Sequence, residues 1–137
     1  MKTDILIVGS GCSGLYCALN LPESRQITVI TKAGAEENDS YLAQGGMCML
    51  KDESDYQGFF DDTMKAGHYE NDEASVEIMI RSSRSVVEDL LQFGADFQKD
   101  ENGELVFTRE GAHSEKRIIF HKDVTGKEIT STLLAQG

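Results

Sequence analysis

The chain has 137 residues, of which 39% are hydrophobic, and a formal net charge of −11. This length and composition predict one globular domain with a real core. The negative charge argues against nucleic-acid and anionic-membrane partners, which bind clustered Lys and Arg. No apolar run approaches the ~20 residues of a membrane span. An anionic small molecule is still compatible, because a binding site can be locally positive.

The three cysteines, Cys12, Cys17 and Cys48, contain no C-x-x-C pair. An odd number of cysteines without such a pair favours free thiols in a reducing compartment. We therefore expect a cytoplasmic protein with no cysteine-ligated metal site.

The first thirty residues predict a strand, a turn, a helix and a second strand. Residues 4–8 form a short, continuous apolar run typical of a buried strand. Residues 13–21 have helical periodicity that ends before Pro22, and residues 26–32 predict the second strand. The pattern indicates a βαβ unit with parallel strands.

Three glycines, Gly9, Gly11 and Gly14, follow the first strand with the spacing G-x-G-x-x-G. In dinucleotide-binding folds the first glycine permits a sharp turn, the second lets a pyrophosphate approach the backbone, and the third lets helix and strand pack closely. The helix that follows offers free N–H groups to phosphates. The sequence predicts a dinucleotide site, and the alternative is a glycine-rich turn that binds no ligand.

The second strand ends at Thr31-Lys32, where dinucleotide folds often carry an acid for the ribose. Lys32 could face the 2′-phosphate of NADP, or it could contact the ribose or phosphate side of FAD. It could also be an ordinary solvated lysine. The residues alone leave these alternatives open.

The middle of the chain predicts two helices. Residues 55–66 form the first, with Gly67 as its stop, and residues 72–93 form the clearest helix. Asn71 or Asp72 can cap the second helix, and Gly94 occupies its C′ position. Its apolar positions recur at spacings of three and four, and its charged positions form a solvated face; the two sets are Val76, Met79, Ile80, Val87, Leu90 and Leu91, and Glu77, Arg81, Arg84 and Glu88.

The last third predicts a hairpin, a strand and a helix. Residues 96–107 predict the hairpin, with Asn102-Gly103 as its turn. Residues 117–120 predict a short strand, and the capping-box pattern from Thr125 to Glu128 predicts the start of the last helix. Residues 39–49 show no clean period, so their path is not predicted.

Several motifs then carry a resemblance to a known family. They are Asp39-Ser40-Tyr41-Leu42-Ala43-Gln44-Gly45-Gly46, Asp61-Asp62-Thr63, Ala66-Gly67, Thr108-Arg109-Glu110-Gly111-Ala112-His113-Ser114, Arg117-Ile118, His121 and Asp123-Val124-Thr125-Gly126. In this order and spacing the chain, from about residue 4 to its end, resembles the FAD-dependent succinate dehydrogenase/fumarate reductase flavoprotein superfamily. The A-Q-G-G motif is typical of the superfamily, and R-E-G-x-H-S-x-x-R-I is typical of its L-aspartate oxidase branch.

The resemblance implies FAD as the cofactor. It places Gly9, Ser10, Gly11, Cys12, Ser13 and Gly14 at the FAD pyrophosphate. Lys32 matches the family's lysine at the end of the second strand, which favours FAD over NADP. The flavin-lining segment matches Asp39, Ser40, Tyr41, Leu42, Ala43, Gln44, Gly45 and Gly46. Backbone N–H groups of such a segment can stabilise charge on the reduced ring.

The resemblance also implies the substrate and the reaction. Glu110 matches a glutamate that orients the amino group of L-aspartate, a role that suits a carboxylate. His113 and Ser114 would support it, either at the substrate or as residues that fix the loop. The implied reaction moves a hydride from the α-carbon of L-aspartate to FAD and gives iminoaspartate. Oxygen or fumarate would reoxidise the flavin, in the first step of de novo NAD biosynthesis, with quinolinate synthase as a possible partner.

Two positions differ from the family patterns. Asp39 lies where succinate dehydrogenases and fumarate reductases carry the histidine that bonds the flavin. A carboxylate cannot form that linkage, so FAD should be held non-covalently. No metal site is expected. Ala112 replaces a glycine that is usual in aspartate oxidases, a small change unless the backbone there has positive φ.

The expected fold class is α/β, with a Rossmann-like βαβ unit, additional helices and a β-hairpin. Because members of the family are several times longer, residues 1–137 are expected to be the N-terminal part of an FAD-binding domain, without the capping domain, and to have no oxidase activity alone. Two alternatives stay open: a fumarate reductase or succinate dehydrogenase-type flavoprotein, and a non-catalytic nucleotide-binding module.

Overall fold

The computed structural model describes residues 2–137, so Met1 of the predicted 1–137 unit lies outside the described residues. The chain forms four short strands and five α-helices in this described range. The strands are β1 (Ile5–Val8), β2 (Ile27–Ile30), β3 (Met47–Cys48) and β4 (Ile118–Ile119). The helices are α1 (Cys12–Leu19), α2 (Asp39–Leu42), α3 (Tyr56–Ala66), α4 (Glu73–Gln92) and α5 (Thr125–Leu134), with a 3₁₀ turn at Glu53–Asp55 before α3.

The predicted βαβ unit is confirmed. Strands β1 and β2 pair in parallel, with Ile5 opposite Ile27 and Val8 opposite Ile30, and α1 connects them. Helix α1 begins one residue earlier than predicted and ends two residues earlier, because the N–H of Asn20 already closes its last turn. The C-termini of the strands and the N-terminus of α1 therefore lie on one side of the unit, the side at which dinucleotide-binding folds hold phosphate.

Helix α4 has the predicted signals at both ends. The Asp72 carboxylate accepts the Ser75 N–H at 2.8 Å and caps the first turn. Gly94 has φ of +99°, and the next residue, Ala95, donates its N–H to the Leu90 carbonyl at 2.9 Å. One predicted apolar position is wrong, since Met79 is 45% exposed.

The predicted hairpin forms a single bridge rather than two regular strands. Lys99 pairs with Leu105, and Val106 donates its N–H to the Gln98 carbonyl at 3.0 Å. The turn is longer than the two residues predicted, because the Asp100 carboxylate accepts the N–H of Glu104 as well as that of Asn102. Gly103, with φ of +82°, closes a three-residue connection.

Helix α5 begins at Thr125 as predicted, but the predicted capping box is wrong. The Thr125 hydroxyl accepts the His121 N–H at 3.0 Å, and the Glu128 carboxylate accepts the Asp96 N–H at 2.8 Å. Both side chains hold neighbouring segments against the helix instead of capping its own first turn. Val124 occupies the N-cap position and makes no side-chain cap.

Two apolar clusters form the core. The larger lies among α1, α4, α5 and β4, and the smaller between α3 and α4; their buried members are Leu15, Met49, Val87, Leu90, Ala95, Phe97, Ile119 and Leu133, and Leu50, Phe59, Met64, Val76 and Ile80. Strands β3 and β4 pair antiparallel, and β4 confirms the predicted strand at 117–120. No helix within residues 2–137 combines the length and apolarity needed to cross a membrane.

Candidate cofactor and substrate site

The glycine turn has the geometry that phosphate binding requires. Gly9 has φ of +115°, a conformation that disfavours other residues, and its N–H donates to the Ile30 carbonyl at 2.8 Å. A Cβ on Gly14 would lie 2.3 Å from the Gly9 carbonyl oxygen. The turn is therefore tied to β2, and α1 can approach it closely only with glycine at position 14.

Helix α1 begins at this turn without a side-chain cap, since its N-cap residue is Gly11. The first helical N–H, of Cys12, donates to the Ser40 hydroxyl at 3.1 Å. The N–H groups of Ser13 and Gly14 follow in the same first turn, where the partial positive charge of the helix is concentrated. This end of α1 is suited to bind an anion.

A cavity of about 570 Å³ opens at the carboxyl ends of β1 and β2. The glycine turn, the end of β2 and the start of α2 line it; the residues are Val8, Gly9, Ser10, Gly11, Ile30, Thr31, Lys32, Glu37, Asn38 and Asp39. Lys32 is exposed and forms no ion pair with a carboxylate of residues 2–137. The start of α1 with its remaining N–H groups, the space left beside Gly9 and this lysine together are compatible with the diphosphate and ribose of FAD.

A set of hydrogen bonds that the sequence does not reveal supports the cavity wall. The Ser10 side chain is buried and donates to the Ala35 carbonyl at 3.0 Å. The Asn38 amide donates to the same carbonyl at 2.8 Å, and its oxygen caps α2 by accepting the Tyr41 N–H. The loop after β2 is thereby fastened to the glycine turn. Asn at a helix start is the one sequence signal that could have indicated part of this arrangement.

The 39–46 segment, expected to line the flavin, begins as α2 and continues as exposed backbone into β3. Two close approaches fix it. A Cβ on Gly126, in the first turn of α5, would lie 2.1 Å from the Ser40 carbonyl oxygen. A Cβ on Gly46 would lie 2.4 Å from the Ile119 carbonyl oxygen. The segment is thus held by the glycine turn, α5 and β4, while Leu42 is 71% exposed.

Glu110 lies on a loop whose ends are both anchored. Thr108 and Ile118 exchange backbone hydrogen bonds of 2.8 and 3.1 Å, which close the loop. At the tip, Gly111 has φ of +58°, and the His113 N–H bonds the Glu110 carbonyl. Glu110 and Ala112 are exposed, and Ala112 has no positive φ, so a side chain there is not strained.

His113 and Ser114 point toward the core side of this loop. The His113 ring packs edge-on against Phe59, with ring centroids 5.5 Å apart, and its Nδ1 lies 3.2 Å from Nη1 of Arg117. Burial, and then the charge of Arg117, lower the pKa of His113. Ser114 donates both its N–H and its hydroxyl to Oδ2 of Asp62, each at 2.7 Å.

Arg117 is the fully buried centre of this region, with no exposed surface. Asp55 accepts from its Nε and Nη2 at 2.6 and 2.8 Å, and Asp62 accepts from Nη1 at 2.7 Å. Burial opposes ionisation of Asp62, but the hydrogen bonds from Ser114 and Arg117 and the arginine charge lower its pKa to about 2. The family resemblance contains both Asp62 and Arg117, but their pairing could not be predicted from the sequence.

The predicted residues therefore fall into two groups joined by one small sheet. Gly9, Ser10, Gly11, Lys32 and Asp39 line the cavity at the end of β1, and the Cys12 N–H bonds the Ser40 hydroxyl. The other predicted cofactor residues are not among its lining residues: Ser13 and Gly14 lie in α1, and residues 41–46 run from α2 to β3 beside α5 and β4. Glu110, His113 and Ser114 belong to the loop before β4. β4 pairs with β3, which directly follows the 39–46 segment, so the loop that carries Glu110 and the 39–46 segment are connected through the β3–β4 pair.

Other chemistry is limited in the described range. No group of three or more His, Cys, Asp or Glu within residues 2–137 could hold a metal ion. All three cysteines are free thiols, and burial raises the pKa of Cys48.

The sequence matches a family described as "FAD binding domain" over residues 4–137, and the chain belongs to that family. A curated relative, the L-aspartate oxidase of Clostridium perfringens, is 47% identical over 131 residues. That match covers 96% of this chain and 30% of the relative. The L-aspartate oxidase of Acinetobacter baylyi is 41% identical, over 96% of this chain and 24% of its own length. The chain thus spans less than a third of these relatives.

Solved structures show the same fold. Mycobacterium smegmatis Sdh1 superposes with a TM-score of 0.89 and 27% identity, over 97% of this chain and 23% of that protein. An Escherichia coli quinol fumarate reductase superposes with a TM-score of 0.92 and 23% identity, over 98% of this chain and 24% of its own length. The α/β fold class expected from the sequence is confirmed, and the chain covers only part of the corresponding structures.

Proposed function

We propose that the protein carrying this chain is an FAD-dependent enzyme that oxidises L-aspartate to iminoaspartate. The observation that carries the proposal is Glu110, an exposed carboxylate at the tip of a loop anchored on both sides. A carboxylate in that position can accept hydrogen bonds from an ammonium group and pair with its charge. The identity to curated L-aspartate oxidases over nearly the whole chain supports the same substrate.

The cofactor would be held through this chain's own groups. The first turn of α1 and the backbone at Gly9 would bind the diphosphate, and Lys32 would contact its phosphate or ribose side. The segment 39–46, whose residues 42–46 are exposed, would lie along the flavin ring, where backbone N–H groups could meet developing negative charge. Asp39 offers no imidazole for a covalent bond, which supports non-covalent binding.

Bound FAD would supply the redox chemistry by accepting a hydride from the substrate α-carbon. The role of Glu110 would be to hold the α-ammonium so that the Cα–H bond faces the cofactor. His113, packed against Phe59 and Arg117, would set the loop rather than touch the substrate. Oxygen or fumarate would be the final acceptor, and the reaction would open NAD biosynthesis in the cytoplasm with quinolinate synthase as the consumer of iminoaspartate.

The test uses the protein as its complete gene encodes it, purified with its cofactor. We expect visible flavin absorbance, retained until the protein is denatured and then released. We expect L-aspartate to produce hydrogen peroxide under air, one per substrate oxidised, and succinate to produce none. A colourless protein that cannot be reconstituted with FAD would contradict the cofactor assignment.

A second function is favoured by the structural similarity to Mycobacterium smegmatis Sdh1. It is oxidation or reduction of a dicarboxylate without an amino group. The same assay separates the two: turnover of succinate or fumarate with no response to L-aspartate would replace the first proposal with the second. Bound nucleotide without turnover of either would instead indicate a non-catalytic module.

A further inference from the structure

The hydrogen bonds that fasten the loop carrying Glu110 to α3 are made by Asp62. Its Oδ2 accepts three hydrogen bonds of 2.7 Å, from the N–H and hydroxyl of Ser114 and from Nη1 of Arg117. One carboxylate oxygen therefore joins the middle of the loop to its end. Asp62 shows 16% of its side-chain surface, so these bonds are partly shielded from water.

The two aspartates on Arg117 divide their tasks. Asp55 binds the guanidinium through both oxygens, at 2.6 and 2.8 Å, and can keep the buried charge paired alone. Asp62 contributes one further bond to the arginine and two to Ser114. Removing Asp62 should therefore release the loop without leaving Arg117 unpaired. Removing Asp55 would instead take away the bidentate partner of the buried arginine and destabilise the core.

The position of Glu110 depends on this anchor. On its N-terminal side the chain is fixed two residues away, by the backbone pair between Thr108 and Ile118. On its C-terminal side His113 packs against Phe59 and Arg117 three residues away, and Ser114 donates two hydrogen bonds to Asp62 four residues away. Gly111 and Ala112 between them are exposed, and the first of these is a glycine with positive φ. Without Asp62 the C-terminal side of the tip would lose both Ser114 hydrogen bonds and keep only the contacts of His113.

We propose that Asp62 is a positioning residue that sets substrate affinity by holding the Glu110 loop through Ser114. This rests on the proposed function, in which Glu110 binds the substrate ammonium. Asp62 does not touch the substrate, and its effect passes through the carboxylate of Glu110.

The test compares Asp62→Ala with Asp61→Asn, in the complete protein loaded with FAD. Asp61 is the neighbouring residue, is exposed, and pairs only with Gln57 in its own helix among the described residues. We expect Asp62→Ala to raise the KM for L-aspartate by ~5- to 50-fold with a smaller change in kcat, because an interaction that binds ground state and transition state alike is weakened. Asp61→Asn should leave KM unchanged, and flavin content should be equal in both.

A double-mutant cycle separates positioning from a general structural role. If Asp62 acts through Glu110, then Asp62→Ala combined with Glu110→Gln should have nearly the KM of Glu110→Gln alone. Multiplied effects of the two substitutions would overturn the proposal. If Asp62→Ala does not fold, Ser114→Ala removes only the hydroxyl bond and should shift KM in the same direction by a smaller factor.

Hydrogen exchange of residues 109–116 gives a readout independent of turnover. Asp62→Ala should accelerate exchange there, relative to wild type and Asp61→Asn, with residues of α4 unchanged. Faster exchange in a protein that does not oxidise L-aspartate would sustain the anchor and refute the proposed function. Unchanged exchange, or unchanged KM in an active enzyme, would refute the anchor itself.

Discussion

The βαβ unit and the region around Arg117 differ in how far their side chains are exposed to solvent. On β1 and β2, Leu6 is 54% exposed, Val8 78% and Ile30 44%, although parallel strands are normally covered on both faces. Around α3 the side chains of Phe59 and Arg117 are 1% and 0% exposed. The βαβ unit is therefore an open half built from backbone groups, whereas the region around Arg117 is a closed half held by ionised side chains.

This difference suggests which interactions each half depends on. An open turn of backbone N–H groups is stabilised when a ligand binds to it or when further structure covers the strands. A buried arginine paired with two carboxylates needs no ligand to fix its geometry, because leaving any of these charges unpaired would destabilise the fold. Substitutions in the closed half should therefore lower stability, whereas substitutions in the open half should weaken cofactor binding.

The largest effect should come from Arg117→Met in the closed half. It leaves Asp55 and Asp62 without their cation, and breaking a buried pair from one side costs about 3–5 kcal/mol. We expect a strong fall in the thermal unfolding midpoint, followed by circular dichroism. Arg109→Met, on an exposed neighbour in the same loop, is the control. A loss equal to that of the control would show that the region is not held by its charges.

Gly126→Ala tests the contact between α5 and the 39–46 segment. Its new Cβ would lie 2.1 Å from the Ser40 carbonyl oxygen and 2.7 Å from that of Ala43. We expect a cost of about 1–3 kcal/mol from overpacking and weaker FAD retention, measured by flavin release on dilution. Ser131→Ala, on the same helix, should retain FAD normally. Full retention by Gly126→Ala would mean that the segment adapts without affecting the cofactor.

Acid should loosen the closed half through Asp62. Its folded pKa of about 2 lies below the ordinary value of 3.8, so its stabilising contribution is complete above about pH 4 and is lost as the pH falls toward 2. We expect the free energy of unfolding to fall by about 1–2 kcal/mol over that window, less than the full pKa shift implies because Asp62 is partly solvated. The unfolding midpoint of Asp62→Asn should depend less steeply on pH there, and equal slopes would argue against this assignment.

The smallest effect should come from the solvated face of α4. Arg84 and Glu88 form an i,i+4 pair at 3.7 Å, with both side chains about 60% exposed. Such pairs contribute about 0.3–0.5 kcal/mol at most, so Arg84→Ala should barely move the unfolding midpoint. A loss of more than 1 kcal/mol would show that the exposed face of α4 stabilises the fold more than a surface ion pair can.

Local chemistry explains what the sequence could predict. The strand that leads into Gly9, the capping of α4 by Asp72 and the stop at Gly94 depend on residues a few positions apart. Periodicity and turn preferences report such interactions directly. The capping box at Thr125 was wrong because its two side chains found partners outside the helix, at His121 and Asp96.

The rest of the site depends on pairs distant in sequence. Asp62 meets Ser114 across 52 residues, and the Cys12 N–H meets Ser40 across 28. No local pattern specifies such a partner, which is why the path of residues 39–49 and the anchor of the Glu110 loop were not predicted. The glycine turn itself could be predicted, because its geometry depends on contiguous backbone and on glycines at fixed spacing.

The measurement that most directly tests the central claim is kcat/KM for L-aspartate in Glu110→Gln and in Glu115→Gln. Both residues are exposed carboxylates of one loop, and only Glu110 is proposed to meet the substrate. We predict a fall of at least ~10²-fold for Glu110→Gln, the size expected when a charged hydrogen-bond partner is lost. Glu115→Gln should stay within about twofold of wild type. Equal values for the two variants would contradict the account.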